Sequence, residues 1–184
     1  MSLNVDVATN GIRLPLSRVA IADAARAALR SEKVRDALIS ITFLDRPAIA
    51  RMNRKHLRHS GATDVISFGF TRATETDPVV GDVYISPDVA RTNAQASGVS
   101  VREELARLVV HGTLHVLGYA HPESDARERS DMWKRQERLV RLIMARTRRW
   151  RSQMTMMANS KYLDYMKAHT QFSCTDRMAT MMLL

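Results

Sequence analysis

Residues 111–121 read His111-Gly112-Thr113-Leu114-His115-Val116-Leu117-Gly118-Tyr119-Ala120-His121. Two histidines four apart on a helix project from one face, one turn above the other. Gly118 offers the left-handed conformation in which helices commonly end, and the chain then swings His121 back toward the same point. Three neutral imidazoles converging there form a ligand set suited to zinc. Three protein ligands leave a fourth position open for water, the catalytic rather than the structural kind of site. The expectation is one Zn2+ per chain, held by His111, His115 and His121.

A site of this kind needs a rigid base. Ser100 and Glu103 have the spacing of a capping box and predict a helix from Val101 to about Leu117. Leu105, Leu108, Val109, Leu114, Val116 and Leu117 surround its second half, which should be buried between sheet and helices. The histidine spacing matches the extended zinc-peptidase signature His-Glu-x-x-His-x-x-Gly-x-x-His except at one position. Gly112 stands where that signature has its general-base Glu, and glycine accepts no proton. The metal site survives this difference and the peptidase mechanism does not.

Four strands are expected around this helix. Leu3–Ala8 alternates apolar and polar residues as an edge or half-buried strand does, and Ala37–Leu44 is a β-branched, apolar run suited to a central one. Thr63–Phe70 and Asp82–Ser86 follow, with Gly81 marking the entry to the latter and a close backbone approach. Ser17 caps a helix running to about Arg30. Asp45-Arg46-Pro47 opens a short one to about His56, and Ser86-Pro87 caps another through Ala96. A last amphipathic helix is expected from near Ser124, with Met132, Trp133, Leu139, Val140, Ile143 and Met144 inward. Its Arg127, Lys134, Arg138 and Arg141 face water, and the run Arg146, Arg148, Arg149, Arg151 follows.

The 184 residues suffice for one domain with a full core. We expect a single domain over 1–150 and a loosely ordered tail over 151–184, where seven of the 11 methionines fall without amphipathic period. No run has the length of a membrane span and the N-terminus lacks a signal-peptide pattern, so no membrane partner and a cytoplasmic setting are expected. The single cysteine, Cys174, leaves any metal to histidine and carboxylate. With 28 Lys+Arg against 19 Asp+Glu, the net charge of +9 favours a polyanionic partner.

The same stretch resembles the signature of the bacterial YbeY-type endoribonucleases, His-Gly-x-Leu-His-Leu-x-Gly-Tyr-Asp-His. Met52-Asn53, Thr63-Asp64-Val65-Ile66-Ser67-Phe68 and Gly81-Asp82-Val83 are similar, in order and separation, to further segments of that family. The resemblance covers roughly residues 35–145. It implies an α+β fold, zincin-like, with a small mixed four-stranded sheet flanked by helices and the metal ligands His111, His115 and His121 on a central helix. It also implies zinc-dependent cleavage of single-stranded RNA, with rRNA or the ribosomal subunit as partner, in rRNA maturation and ribosome quality control. Two positions depart from the pattern. Ala120 replaces the family's Asp, and Leu57 stands where many members carry an Arg. Arg58 is adjacent, but one residue on a helix turns a side chain by about 100°, so no catalytic role is carried onto it.

The sequence names no general base. Asp64 and Asp82, acidic residues at strand ends, are assigned to holding loops, and His59 to the turn at Gly61. Two other functions stay open: a metallopeptidase, disfavoured by Gly112, and a non-catalytic zinc-containing ribosome-assembly factor that binds RNA.

Overall fold

In a computed structural model of the chain, residues 2–122 and 125–147 are described. The compact body is Met1–Ile143, and Met144–Leu184 forms a second unit of which only 144–147 are described. The expected tail, 151–184, and Arg148, Arg149 and Arg151 lie outside the described residues.

Nine regular elements follow in order: β1 (Leu3–Ala8), α1 (Arg18–Ser31), β2 (Ala37–Phe43), α2 (Arg46–Met52), β3 (Val65–Gly69), β4 (Val79–Ile85), α3 (Pro87–Ala96), α4 (Val101–Val116) and α5 (131–147). The strands form one mixed sheet in the order β1-β2-β4-β3, with β1, β2 and β4 parallel and β3 antiparallel to β4. Alternate residues of the two central strands face the core. Ala37, Ile39, Ile41 and Phe43 on β2, and Val79, Val83 and Ile85 on β4, enter one core with α1 and α4, while Leu38 is exposed on the other side. No helix among the described residues is long and apolar enough to cross a membrane.

The caps of α1, α2 and α4 are made by the expected side chains. Ser17 Oγ accepts from the N–H of Ala20, Asp45 from that of Ala48, and Ser100 Oγ from that of Glu103. The Ser100 box closes from one side, because the Glu103 carboxylate meets Arg107 one turn on. α2 passes into a wider π turn, Asn53–Leu57, and Arg58 then takes a left-handed conformation at φ 58°. Buried Asn53 ties this loop by donating from its amide to the Gly61 carbonyl at 3.0 Å.

Several expectations need correcting. Ser86 does not cap α3: its hydroxyl is buried and has no hydrogen-bond partner among the described residues, and Pro87 alone sets the helix start. β4 begins at Val79, so Gly81 is its third residue and Asp82 lies mid-strand rather than at an end. The last helix is preceded by a 3-10 turn, Asp125–Arg129, and its α-helical part starts at 131.

What positions α4 is a set of three glycines. Gly81 and Gly69 are direct cross-strand partners on β4 and β3. A Cβ on Gly81 would stand 2.4 Å from Val116 Cγ1, and one on Gly69 2.7 Å from the Val116 carbonyl oxygen. One turn earlier, a Cβ on Gly112 would stand 2.5 Å from Val83 Cγ1 and 3.0 Å from Ser67 Oγ. Missing side chains on both surfaces let the helix lie closer to β3 and β4 than ordinary packing permits.

Candidate metal centre

α4 carries His111 buried and His115 half-buried at adjacent turns. It ends as the glycine predicts. Gly118 is left-handed at φ 87°, its N–H bonds to the His115 carbonyl, and the N–H of Tyr119 reaches back to Leu114. This is the Schellman closure, and it returns the chain so that His121 faces the other two. The ligand atoms of the three histidines lie within 4.8 Å of one another. The structure thus brings together all three residues singled out in the sequence.

The far nitrogen of each ring meets a carbonyl oxygen. His111 Nδ1 is 2.7 Å from Gln136 Oε1, His115 Nδ1 is 2.8 Å from the Tyr119 carbonyl, and His121 Nδ1 is 3.0 Å from the Pro122 carbonyl. Carbonyl oxygens only accept, so each ring donates from Nδ1 and keeps an unprotonated Nε2. These three Nε2 atoms point at one another. His111 and His115 are 2.9 Å apart there, His111 and His121 3.4 Å. Three imidazole nitrogens converging at such distances are arranged as ligands of one metal ion are. Tetrahedral zinc ligands at a Zn–N distance of about 2.05 Å stand roughly 3.3 Å apart, close to both spacings. The donor set fits a metal ion.

Charged neighbours brace this centre from two sides. Gln136, 1% exposed on α5, donates from Nε2 to Glu137 at 3.0 Å. Glu137 pairs with Arg107 at 2.8 Å, and Arg107 also holds Glu104 at 2.7 Å. Burial works to raise the Glu137 carboxyl, but Arg107 and Gln136 outweigh it and hold the group below the usual carboxylate range. Burial likewise opposes the Arg107 charge, and Glu137 and Glu104 more than restore it. On the other side the Tyr119 hydroxyl donates to Glu32 at 2.6 Å, and Arg135 meets the same carboxylate at 3.1 Å while lying over the Tyr119 ring. Glu32 is raised by burial and lowered by Tyr119 and Arg135, with a net shift downward. The hydrogen bond to Glu32 pushes the Tyr119 phenol up.

The two carboxylates singled out in the sequence stand outside the cluster of three histidines. Asp64 accepts from the Val65 N–H, the Thr63 hydroxyl and the Asn93 amide, which anchors the start of β3 against α3. Asp82 pairs with Phe68, one residue out of phase with Gly81 and Val83, so it faces the side of the sheet opposite α4. His59, Arg54, Lys55 and Arg58 are exposed, Leu57 is 43% exposed, and the His56 ring packs edge-on against Phe68. A cavity of about 440 Å³ opens beside His111, lined by Asp64, Asn93, Arg107, Trp133 and Gln136. A larger one of about 680 Å³ is lined by Glu32, Asp36, Arg72 and Tyr119, and by none of the three histidines.

Sequence reasoning passed over Gln136. A signal was there, because residue 136 falls four after Met132 and three before Leu139, on the buried stripe of its helix. A polar residue in an apolar stripe has to find a partner.

The sequence model of the family Endoribonuclease YbeY matches residues 8–144. The chain is 37% identical over 112 residues to the endoribonuclease YbeY of Frankia alni, covering 55% of this chain and 61% of that one. Against the endoribonuclease YbeY of Bacillus licheniformis it is 34% identical over 151 residues, 76% of this chain and 94% of that one. The fold is similar to the solution structure of TM1509 from Thermotoga maritima, with a TM-score of 0.53 at 20% identity, covering 81% and 93% of the two chains.

Proposed function

This chain belongs to the endoribonuclease YbeY family, and from that premise we propose that it is a zinc-dependent endoribonuclease cleaving single-stranded RNA. Its setting is rRNA maturation and ribosome quality control in the cytoplasm, with rRNA or a ribosomal subunit as partner. One zinc per chain is held by His111 and His115 on α4 and by His121 beyond its glycine turn, and this His-x-x-x-His pair and turn support a zincin-like assignment of the fold. The observation that carries this is the convergence of three imidazoles, Nε2 of His111 lying 2.9 Å from that of His115 and 3.4 Å from that of His121, with every Nδ1 against a carbonyl oxygen.

Zinc bound there supplies Lewis-acid stabilisation of phosphoryl charge and activation of water. The chain's own groups do the rest. Gln136 and the carbonyls of Tyr119 and Pro122 fix the three rings. Exposed Arg54, Lys55 and Arg58 supply positive charge for the phosphate backbone. Gly112 packs onto Val83 where a peptidase has its Glu, which counts against peptide hydrolysis.

The test is the metal-loaded full chain on single-stranded RNA and on casein, with His115→Ala as control and zinc measured by elemental analysis. RNA should be cut by the wild type and left whole by the variant, with casein intact and about one zinc per chain. Full zinc with intact RNA would favour the assembly-factor alternative. Casein cleavage without RNA cleavage would favour the peptidase.

A further inference from the structure

Gln136 is 25 residues from His111 in sequence, is buried, and makes a 2.7 Å contact with its ring. Burying a primary amide is unfavourable by roughly 1–3 kcal/mol unless its groups are paired, and a methionine or leucine would fill the same space without that cost. The amide has one available orientation. Glu137 is a carboxylate held ionised by Arg107, so it accepts and cannot donate. The Gln136 NH2 group has to face it, at 3.0 Å, which leaves Oε1 for His111. Oε1 in turn accepts only, so the proton of His111 is drawn to Nδ1 and the lone pair to Nε2, the atom facing His115 and His121. The order Arg107, Glu137, Gln136, His111 is therefore a directional relay in which each member fixes the next.

We infer that Gln136 is a positioning residue of the metal centre: through Glu137 and Arg107 it selects the tautomer and ring orientation of His111 that bind metal, and so sets metal affinity. The inference rests on the metal-centre reading above. It assigns α5 a part in the site that neither the triad's spacing nor the family's signature stretch contains. A neutral amide suits this place, since it orients the ring without adding another negative charge beside Glu137 and Glu104.

Two variants separate positioning from packing. Gln136→Met keeps the volume and removes the acceptor. Gln136→Glu keeps an acceptor for His111 but loses the donor to Glu137 and sets two carboxylates side by side. Zinc affinity would be measured by chelator competition on the full chain, stability by denaturant melts of the metal-free protein, and the His111 tautomer by long-range nitrogen–proton NMR correlations. In the wild type the metal-free protein should show His111 protonated at Nδ1. Gln136→Met should lose that preference and bind zinc about 10- to 100-fold more weakly. Gln136→Glu should be the less stable protein and yet hold zinc more tightly than Gln136→Met. Affinity that simply tracks stability across the two variants, or zinc binding within twofold of wild type in Gln136→Met, would overturn the inference. His111→Ala keeps the two ideas apart. If it leaves zinc content unchanged, the metal centre itself is misplaced. If it releases zinc while Gln136→Met does not weaken binding, the relay alone is wrong.

Discussion

Gly112→Ala tests why the metal helix sits where it does. The added methyl would stand 2.5 Å from Val83 Cγ1, 3.0 Å from Ser67 Oγ and 3.2 Å from Val65 Cγ2. Carbon atoms rest at about 3.5–4.0 Å, so roughly 1 Å has to be found. Val83 is 0% exposed and β-branched, with little rotamer freedom in which to give way. Overpacking of this kind costs about 1–3 kcal/mol, and the size of the overlap places it at the upper end. Against this, alanine gains about 1 kcal/mol over glycine inside a helix. The net expectation is a loss of about 2 kcal/mol in urea unfolding, with the slope unchanged. Val83→Ala, itself costing about 2 kcal/mol, removes the closest obstruction and leaves contacts that yield by a few tenths of an ångström. In that background Gly112→Ala should be neutral or stabilising, a coupling of at least about 2 kcal/mol between the two sites. If Gly112→Ala is as stable as wild type with Val83 intact, or if its cost is the same in both backgrounds, the close seating of α4 is not what fixes the glycine.

Two further outcomes follow from the same geometry. Tyr119→Phe removes the 2.6 Å bond to Glu32 and should lower stability by about 1.5 kcal/mol, the scale of a hydrogen bond to a charged partner; it should also speed zinc release to a chelator, because the turn carrying the Tyr119 carbonyl and His121 loses its tether, and unchanged melting and release would count against that role. Neutralising Arg54, Lys55 and Arg58 together should weaken RNA binding and flatten its salt slope by up to about three units of phosphate contact, read by fluorescence anisotropy at several salt concentrations; an unchanged slope would place the RNA surface elsewhere.

The clustering of the three histidines was legible in the sequence because its determinants are local. Four residues of helix and one left-handed glycine fix where three imidazoles go, and Leu105, Leu108, Val109 and Leu114 mark the faces that bury the helix. β1 was legible through its alternation, as an edge or half-buried strand, and β2 through its β-branched, apolar run, as a central one. Ser86 was misread because a serine before a proline has the composition of a cap, while its hydroxyl is turned into a buried environment by the end of β4. Asp82 was misread because the start of β4 was placed three residues late, which put a mid-strand residue at an end and hid the face it lies on. Gln136 depends on a contact between helices 25 residues apart, and nothing within either helix announces its partner.

Gly112 shows how one position carries two separate constraints. Within the motif, its meaning is negative: there is no side chain to accept a proton, so peptide hydrolysis lacks its base. Within the fold, its meaning is positive: the absent Cβ is the space that Val83, Ser67 and Val65 occupy, as the absent Cβ atoms of Gly81 and Gly69 are the space for Val116. A glutamate at 112 would have to displace Val83 before it could approach the metal, and it would bring a charge to the buried seam between helix and sheet. The change of chemistry and the change of packing are therefore inseparable here. A helix seated this closely on β3 and β4 excludes the peptidase base by steric means, and it gives His111 the fixed backbone from which Gln136 can orient its ring.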